Sequence, residues 1–320
     1  MKNIAANYSV NAETKPRIEL TVPDDCAGLR LDQALSRLLP EFSRNRLARW
    51  VRGNQVTLDG RTALPREKVY GGERIDVVPE PDPQKYAYRP QAIPLQIVFE
   101  DDTLIVIDKP AGFVVHPGSG NWTGTLLNAL LAHAPQVSEL PRAGIVHRLD
   151  KDTSGLLVVA KTLAAHAELV RQLQARSVTR EYLAVVQGRV ARDGMVDAPI
   201  GRHPVHRTRM AVVARGKPAI THYSVVEQFS TATLLRCRLE TGRTHQIRVH
   251  LASIGHPLVG DPVYGGKRSH QNRGTAQFGR QALHAARLVL VHPATRRSRA
   301  WRAPLPQDMN GLLLSLRQAA

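Results

Sequence analysis

Cysteine and aromatic side chains are scarce in this chain of 320 residues. The two cysteines, Cys26 and Cys237, lie far apart in the sequence, which excludes a disulfide-rich scaffold and a CxxC-type zinc site. Aromatic residues make up 5% of the chain, too few for a broad platform on which single-stranded nucleic acid stacks. A reducing cytoplasm is therefore the expected location.

Long apolar runs are also missing. No run of apolar residues approaches the ~18 that span a bilayer. Residues 1–8 lack the apolar core of a signal peptide. We therefore expect neither secretion nor membrane insertion, and no membrane among the binding partners.

Several catalytic signatures are absent as well. The chain has no GxxxxGK[ST] phosphate loop and no GxSxG nucleophile elbow, and residues 118–120 lack the third glycine of a dinucleotide loop. His245 and His250 have neither the helical spacing nor the thiolate neighbour that a zinc site would need. These absences disfavour nucleotide-driven, serine-hydrolase and zinc functions.

Positive charge is what the sequence has in excess. There are 44 lysine and arginine residues against 27 aspartate and glutamate residues, a net charge of +17. Because 42% of the residues are apolar, this charge belongs to a folded protein. Two long windows, 198–226 and 262–307, contain no acidic residue. We expect a polyanionic partner, bound in part by Arg202, Arg207 and Arg209 of the first window.

The amino-terminal part is interpreted as a loose tail, residues 1–17, followed by a small αα-β unit, residues 18–79. Apolar residues at helical spacing predict a first helix from Leu31, which Pro40 ends. A second helix begins after Ser43, with its arginines on one side, where they would bind phosphates. These arginines are Arg44, Arg46, Arg49 and Arg52.

A proline-rich stretch at 80–94 predicts a stiff linker before the larger unit, residues 95–320. In the larger unit, apolar patterns predict strands at 104–107, 155–160, 182–186 and 234–239, and helices at 125–131 and 163–174. Later strands follow one another without regular helices, which favours an α+β fold over a doubly wound parallel sheet. Alternating polarity at 247–251 predicts one more extended segment.

The densest polar cluster is HRLDKDTSG at residues 147–155, directly before a predicted strand. Three interpretations of Asp150 and Asp152 are open. They could pair with neighbouring cations in a solvated turn, or bind a metal as a DxD pair. One of them could instead be a nucleophile or acid–base group beside an arginine that keeps it ionised. A second polar cluster, ETGRTHQIRVH at 240–250, is interpreted most simply as surface charge or phosphate pairing.

The segment HRLDKDTSGL at 147–156 resembles the signature of pseudouridine synthases of the RluA type. Four further segments resemble motifs of that family in the same order: DKPxG at 108–112, REYLA at 180–184, GRTHQIR at 242–248 and GDPxYG at 260–265. The amino-terminal unit is similar to an S4 RNA-binding domain. The resemblance implies a mixed, mostly antiparallel catalytic sheet with flanking helices and a central cleft.

The resemblance implies that Asp150 is the nucleophile, attacking the target nucleotide at the sugar C1′ or through a glycal route. Tyr182 would stack on the uracil and assist proton removal at C5. Arg243 would pair with Asp150 and keep it ionised. The N-glycosidic bond would break, the uracil turn and C5 re-bond to the same sugar, an isomerisation that needs no metal or cofactor.

Three further roles are implied in the same way. Ile247 would give the base an apolar wall. Arg148 would fill the space left by the extruded base, a step that is least costly in an RNA loop. His147 is a further candidate for RNA contact.

Segments at 115–121, 142–146 and 202–204 look most like members that modify the helix 69 loop of large-subunit rRNA. The expected partner is therefore that rRNA or the assembling large subunit, and a monomer is the default expectation. Two alternatives within RNA biology are a non-catalytic S4-type assembly factor and a synthase of the same family acting on other rRNA or tRNA uridines. A metal-dependent nuclease or transferase is a third, and it would lose activity in a chelator.

Overall fold

A computed structural model provides the structure of the chain. It describes residues 8–9, 17–80, 86–118, 120–266 and 278–319. The chain divides into two compact units, residues 1–85 and 86–320. Within the described ranges, no helix is long and apolar enough to cross a membrane.

The first unit contains two helices that pack against a five-stranded antiparallel sheet of order β1-β2-β5-β3-β4. Its elements are β1 (Tyr8–Ser9), β2 (Arg17–Thr21), α1 (Leu31–Leu38), α2 (Arg44–Arg52), β3 (Val56–Leu58), β4 (Arg61–Thr62) and β5 (Arg74–Val77). The predicted αα-β arrangement is confirmed. Asp59 and Gly60 turn β3 into β4 with φ of 49° and 75°, the backbone that a two-residue hairpin requires.

The apolar sides of the two helices form the core of this unit. Leu35 of α1 and Leu47 and Trp50 of α2 are buried in one cluster with Ile75 of β5. Each such side chain contributes about 1.5–3 kcal/mol through its removal from water. Because α2 buries this side, its arginines are left on the other.

The predicted tail is only partly described. Strand β1 pairs with β2, with Tyr8 opposite Ile18 and Ser9 opposite Arg17. The rest of the tail before Arg17 lies outside the described residues. The described part of the tail is thus a strand.

A linker is predicted at residues 80–94, but in the structure its second half belongs to the second unit. Residues 81–85 lie outside the described residues. Beyond them, Nδ2 of Asn128 donates hydrogen bonds to the backbone carbonyls of Ala87 and Arg89, at 3.0 and 2.8 Å. These bonds tie the chain to the second unit from this point onward.

The second unit is built on a nine-stranded sheet. Its elements are β6 (Ile97–Glu100), β7 (Leu104–Lys109), α3 (Leu126–His133), β8 (Ser154–Ala160), α4 (Leu163–Gln174), β9 (Thr179–Gln187), β10 (Gly194–Asp197), β11 (Ile200–Arg202), β12 (Met210–Val212), β13 (Ile220–Gln228), β14 (Ala232–Leu239), α5 (Gln246–Ser253), β15 (Leu283–Val291), β16 (Ser298–Arg302) and α6 (Gln307–Gln318). The order is β10-β13-β14-β9-β15-β8-β7-β6, with β16 beside β15 and a separate β11–β12 hairpin. Among these strands only β8 and β15 pair in parallel, so the predicted α+β fold is confirmed.

The predicted elements of this unit have clear physical causes. Strands β7 and β8 are apolar along almost their whole length because clusters of apolar side chains lie on both faces of the sheet. Helices α3 and α4 begin at the predicted places because Thr125 and Thr162 cap them. Their hydroxyl oxygens accept hydrogen bonds from the backbone N–H groups of Asn128 and Ala165.

The prediction of an extended segment at 247–251 is wrong, because these residues belong to helix α5. The helix is buried on all sides, so its polar residues show no amphipathic pattern. Gln246 bonds Thr221 and the carbonyl of Ile220. His250 bonds the hydroxyl of Thr221 at 2.9 Å. Polar residues satisfied inside the protein thus produce an alternation that resembles a half-buried strand.

Three residues lie side by side on the neighbouring strands β8, β15 and β9, next to the HRLDKDTSG segment. Ala285 of β15 lies opposite Tyr182 of β9 on one side and opposite Gly155 of β8 on the other. Gly155 has a φ of 108°, and a Cβ there would lie 2.3 Å from the carbonyl oxygen of Ala285. Glycine therefore allows β15 to approach the start of β8, which sets the distance from the HRLDKDTSG loop to Tyr182.

Replacement of Gly155 by alanine should destabilise the second unit by more than about 3 kcal/mol, since backbone strain and a clash with backbone atoms add. Gly255→Ala is the matched control. Its φ of 87° is also positive, but nothing lies within 4 Å of the added carbon, so it should cost only about 1–2 kcal/mol. Urea unfolding of both variants measures the difference. Equal losses would show that the close approach at Gly155 is not the constraint.

Candidate active site

Asp150 lies in the loop that enters β8, and the backbone of this loop is held at two points. The carbonyl of Asp150 accepts a hydrogen bond from the N–H of Thr153 at 3.1 Å. The next residue, Lys151, is bound through its carbonyl by Nζ of Lys109 at 2.9 Å. The position of the Asp150 carboxylate is therefore set by the end of β7 as well as by β8.

Lys109, the lysine of the DKPxG segment, is completely buried. Its Nζ donates to the carbonyls of Pro110, Phe113 and Lys151, at 2.7–2.9 Å. Three acceptors match the three donors of an ammonium group. Burial lowers the pKa of Lys109 to about 7, against the opposing charges of Asp152 and Asp150. Lys109 thus holds the loop in place through its hydrogen bond to the carbonyl of Lys151.

Arg248 of α5 is the cation that contacts Asp150. Its Nη1 donates to Oδ2 of Asp150 at 3.0 Å. The Nε and Nη2 groups of the same guanidinium donate to the two carboxylate oxygens of Asp261, at 2.7 and 2.9 Å. Arg248 therefore joins two carboxylates and orients the one at Asp150.

Asp261 anchors this arginine. Its side chain is inaccessible to solvent and also accepts hydrogen bonds from the backbone N–H groups of Val263 and Tyr264. Burial alone would raise the pKa of Asp261, but the hydrogen bonds and charge of Arg248 outweigh it, and the pKa is lowered. The Tyr264 ring packs on the guanidinium, 5.1 Å from its carbon.

His245 approaches Asp150 from the start of α5. Its Nε2 lies 3.9 Å from Oδ1 of Asp150, and its Nδ1 lies 2.9 Å from the hydroxyl of Tyr264. That hydroxyl also accepts a hydrogen bond from the N–H of Met210. Burial lowers the pKa of His245, against the opposing charge of Asp150. A neutral ring that accepts the Tyr264 proton at Nδ1 would carry its own proton on Nε2, facing the carboxylate.

A cleft of about 580 Å³ lies in front of Asp150. This volume is within the range of small-ligand sites. The predicted catalytic and substrate-binding residues all line it, although they come from separate parts of the chain. They are Asp150, Arg148, His147, Tyr182, Arg243 and Ile247.

Two of these residues are almost completely buried. Tyr182 is 6% exposed and Ile247 is 3% exposed. Burial raises the pKa of Tyr182, so its hydroxyl is protonated at neutral pH. These two side chains contribute apolar surface to the cleft wall.

The predicted pairing of Arg243 with Asp150 is wrong. Arg243 is exposed, and its Nε donates to the carbonyl of Pro218 at 3.1 Å. Arg243 precedes helix α5, whereas Arg248 lies inside it, and only the helical arginine is buried next to the carboxylate. Arg243 remains at the cleft wall, where its predicted role in substrate binding stays a prediction.

Arg148 and His147 differ although they are adjacent. Arg148 is exposed and makes no hydrogen bond or ion pair with any described residue, so it is free to meet a ligand. His147 accepts a hydrogen bond at Nε2 from the N–H of Val158. Burial, and then the charge of Arg180, lower the pKa of His147 to about 3. His147 is thus a neutral ring that braces β8.

The arginines predicted on α2 fall into two pairs. Arg44 donates twice to Asp32, at 3.1 and 3.0 Å, and Arg46 lies over the ring of Trp50. Arg49 and Arg52 are exposed, and within the described residues nothing pairs with them. The last two are the side chains best placed to meet an external anion.

The predicted arginines of the first acid-free window lie at the β11–β12 hairpin, and all three are exposed. Nη1 of Arg202 donates to the carbonyl of Arg207 at 2.9 Å, which holds the loop in place. The guanidinium groups of Arg207 and Arg209 make no bond to the part of the chain that is described. The hairpin therefore presents at least two unpaired cations.

Sequence reasoning missed four residues of this site: Arg248, Asp261, His245 and Lys109. All four lie inside segments that the resemblance had singled out, which is the signal that could have identified them. Their roles depend on contacts between segments far apart in sequence. No three described histidine, cysteine, aspartate or glutamate side chains are grouped so that they could hold a metal ion.

Comparisons with known proteins agree with this geometry. Residues 103–253 match the family described as RNA pseudouridylate synthase, and residues 29–75 match the S4 domain. A relative from Nitrosomonas europaea named "Ribosomal large subunit pseudouridine synthase D" is 61% identical over 95% of this chain and 89% of its own length. A relative of the same name from Escherichia coli is 52% identical over 94% of this chain and 95% of its own length.

Two solved structures are also similar. "Human RNA Pseudouridylate Synthase Domain Containing 4" is 26% identical, with a TM-score of 0.55, over 69% of this chain and 92% of its own. "Human RNA Pseudouridylate Synthase Domain Containing 1" is 26% identical, with a TM-score of 0.53, over 75% of this chain and 98% of its own. The fold of the larger unit is thus shared with both.

Arg248→Gln should destabilise the protein by about 3–5 kcal/mol, because it leaves the buried Asp261 carboxylate without its counter-ion. Adding Asp261→Asn should recover part of this loss, since the uncompensated charge disappears. Arg243→Gln is the control on the neighbouring exposed arginine and should change stability by less than about 0.5 kcal/mol. Urea unfolding at neutral pH measures all three. A double variant no more stable than Arg248→Gln would contradict the charge pairing.

Proposed function

The chain belongs to the RNA pseudouridylate synthase family, and we propose that it converts uridine to pseudouridine in the RNA of the large ribosomal subunit. We further propose the helix 69 loop as the target, from the segments at 115–121, 142–146 and 202–204. The names of the two relatives support the choice of RNA. The cytoplasm as location and the monomeric state stay predictions.

One observation carries the proposed chemistry: the Asp150 carboxylate at the cleft is held in place through one oxygen and still has the other oxygen free. Oδ2 of Asp150 is bound by Arg248, whereas Oδ1 accepts no hydrogen bond from any described residue. The side chain is 17% exposed, so a substrate in the cleft can reach it. A fixed, ionisable group with one oxygen available is what nucleophilic catalysis requires.

In the proposed reaction, Oδ1 of Asp150 attacks the target nucleotide at C1′ or begins a glycal route. The bond between N1 of uracil and C1′ breaks, and N1 takes up the negative charge. The detached uracil turns in the cleft, and C5 bonds to C1′. At the same step the ester bond between Asp150 and C1′ breaks and the carboxylate is released, or, on the glycal route, C2′ regains the proton that Asp150 had removed. The proton on C5 leaves and N1 gains one, so atoms and electrons balance without an oxidant or a metal.

The cleft residues would serve this reaction by holding the base. Tyr182 and Ile247 offer the apolar surface on which a uracil can pack, and the protonated Tyr182 hydroxyl can relay the C5 proton. Arg148, which has no partner in the described structure, would enter the RNA where the base has left it. Unstacking costs a few kcal/mol, which favours an RNA loop as substrate.

Asp150→Asn should lower the rate of pseudouridine formation by more than about 10³-fold on a helix 69 RNA fragment, because the nucleophile is lost. Pseudouridine is mapped by carbodiimide treatment and primer extension. The wild-type rate should be the same in EDTA, whereas a metal-dependent enzyme would stop.

Asp152→Asn is the matched control for this experiment. It makes the same change two residues away, in a side chain that Arg248 does not bind, and it should keep the wild-type rate within a few-fold. Failure of the wild type on this RNA would overturn the helix 69 assignment. An active Asp150→Asn variant would overturn the role of the carboxylate.

The unpaired arginines on α2 generate a separate prediction. Arg49→Glu with Arg52→Glu should weaken RNA binding and reduce the slope of log Kd against log salt by about 1–2, because about two phosphate contacts are lost. The rate on saturating RNA should be unchanged. Arg66→Glu, a change of charge at an exposed arginine outside α2, is the control. An unaltered slope in the double variant would exclude this helix from RNA binding.

A further inference from the structure

Arg180 is a buried cation in the cleft that the chemistry above does not use. It lies on β9 two residues before Tyr182, so the two side chains point to the same side of the strand. Both line the cleft in front of Asp150. Arg180 is only 7% exposed, an uncommon state for an arginine.

Arg180 has no partner in the described structure. Its Nε is screened from solvent and donates to nothing. Neither of its other nitrogens makes a hydrogen bond or an ion pair with a described residue. A buried charge without a partner destabilises a folded protein. A ligand that brings a negative charge to this position would remove the cost.

The nearby carboxylates are already engaged with other cations. Asp150 and Asp261 are bound by Arg248, as described above. Glu240, at the cleft wall, is paired with Arg176 at 2.9 Å and lies close to His222. Glu181, next to Arg180 in sequence, is paired with Arg287 at 3.0 Å. The described protein thus supplies no anion for Arg180.

The polypeptide makes room for this guanidinium. A Cβ at position 242 would lie 2.8 Å from Nη1 of Arg180, so Gly242 leaves the space in which it rests. Gly242 belongs to the segment that leads into α5 and also lines the cleft. The unpaired cation therefore has a shaped recess beside the proposed base site.

We propose that Arg180 binds a phosphodiester group of the RNA strand next to the extruded uridine, an inference that rests on the proposed function. Uracil is neutral, so its carbonyl oxygens would satisfy an N–H group and leave the charge uncompensated. A phosphodiester carries one negative charge and two oxygens that match the planar fork of a guanidinium. RNA binding thereby supplies the counter-ion that the described residues do not provide.

The test is a double-mutant cycle between the arginine and single phosphates. RNA fragments carry one neutral methylphosphonate linkage, placed in turn on each side of the target uridine. For the wild type, one linkage should weaken binding about 10- to 100-fold, the loss of a charged hydrogen bond. Arg180→Met should bind unmodified RNA more weakly by a similar factor and lose nothing further at that linkage. Arg180→Lys, which keeps the charge but not the fork, should fall between.

Arg287→Gln is the matched control. Arg287 also has a screened Nε without a partner, but it is paired with Glu181 and is absent from the cleft lining. This variant should respond to every methylphosphonate as the wild type does. The melting temperature of Arg180→Met should equal or exceed that of the wild type, since an uncompensated buried charge is removed.

Additive effects of Arg180→Met and methylphosphonate at every linkage would overturn the proposal. Loss of folded protein in both Arg180 variants would also overturn it, because Arg180 would then be structural. Pseudouridine formation by the wild type on unmodified RNA is measured in parallel. Its absence would contradict the proposed function, whereas the binding cycle reports on Arg180 without any turnover.

Discussion

The site depends on one guanidinium shared between two carboxylates. Arg248 uses two nitrogens to grip Asp261 and a third to orient Asp150, so three separate segments meet at a single side chain. Burial of such a network adds little net stability, because desolvation offsets the attraction between the charges. Its effect is geometric, because it holds Oδ2 of the Asp150 carboxylate, the proposed nucleophile, against Arg248. Lys109 completes the arrangement by fixing the backbone of the same loop.

Within the described part of the chain, the arginines fall into two groups, those paired with a carboxylate of the chain and those that are not. Arg248, Arg176 and Arg44 each have a carboxylate within the chain, so their charges are used internally. Other arginines meet no carboxylate among the described residues: Arg49 and Arg52 on α2, Arg148 and Arg180 in the cleft, and Arg207 and Arg209 at the hairpin. The net charge of +17 alone could not make this distinction. An unpaired cation beside a cleft is a more specific indication of an anionic substrate than any total charge.

Much of the fold could be predicted because local patterns determined it. Strands β7 and β8 are apolar along most of their length, and Thr125 and Thr162 mark where helices begin. Helix α5 could not be predicted in this way, because its polar residues are satisfied inside the core and mask its period. The arginine at Asp150 was missed for the same reason. Arg243 and Arg248 belong to one motif. Only the position of Arg248 inside helix α5 shows that it, and not Arg243, is buried next to Asp150. Family resemblance located the cleft residues, but no pattern in the sequence reveals that Arg180 lacks a counter-ion among the residues that the structure describes.

The central claim is that the Asp150 carboxylate, oriented by Arg248, is the group that meets the target nucleotide. The most direct measurement is a crystal structure of the Asp150→Asn variant bound to an RNA fragment that contains the target uridine. The account predicts that the uridine is extruded into the cleft, its uracil against Tyr182. The side chain of residue 150 should then lie within about 3.5 Å of C1′ or C2′ of its sugar. A uridine that stays stacked in the RNA, or a sugar nearest to Asp152 or Glu240, would contradict it.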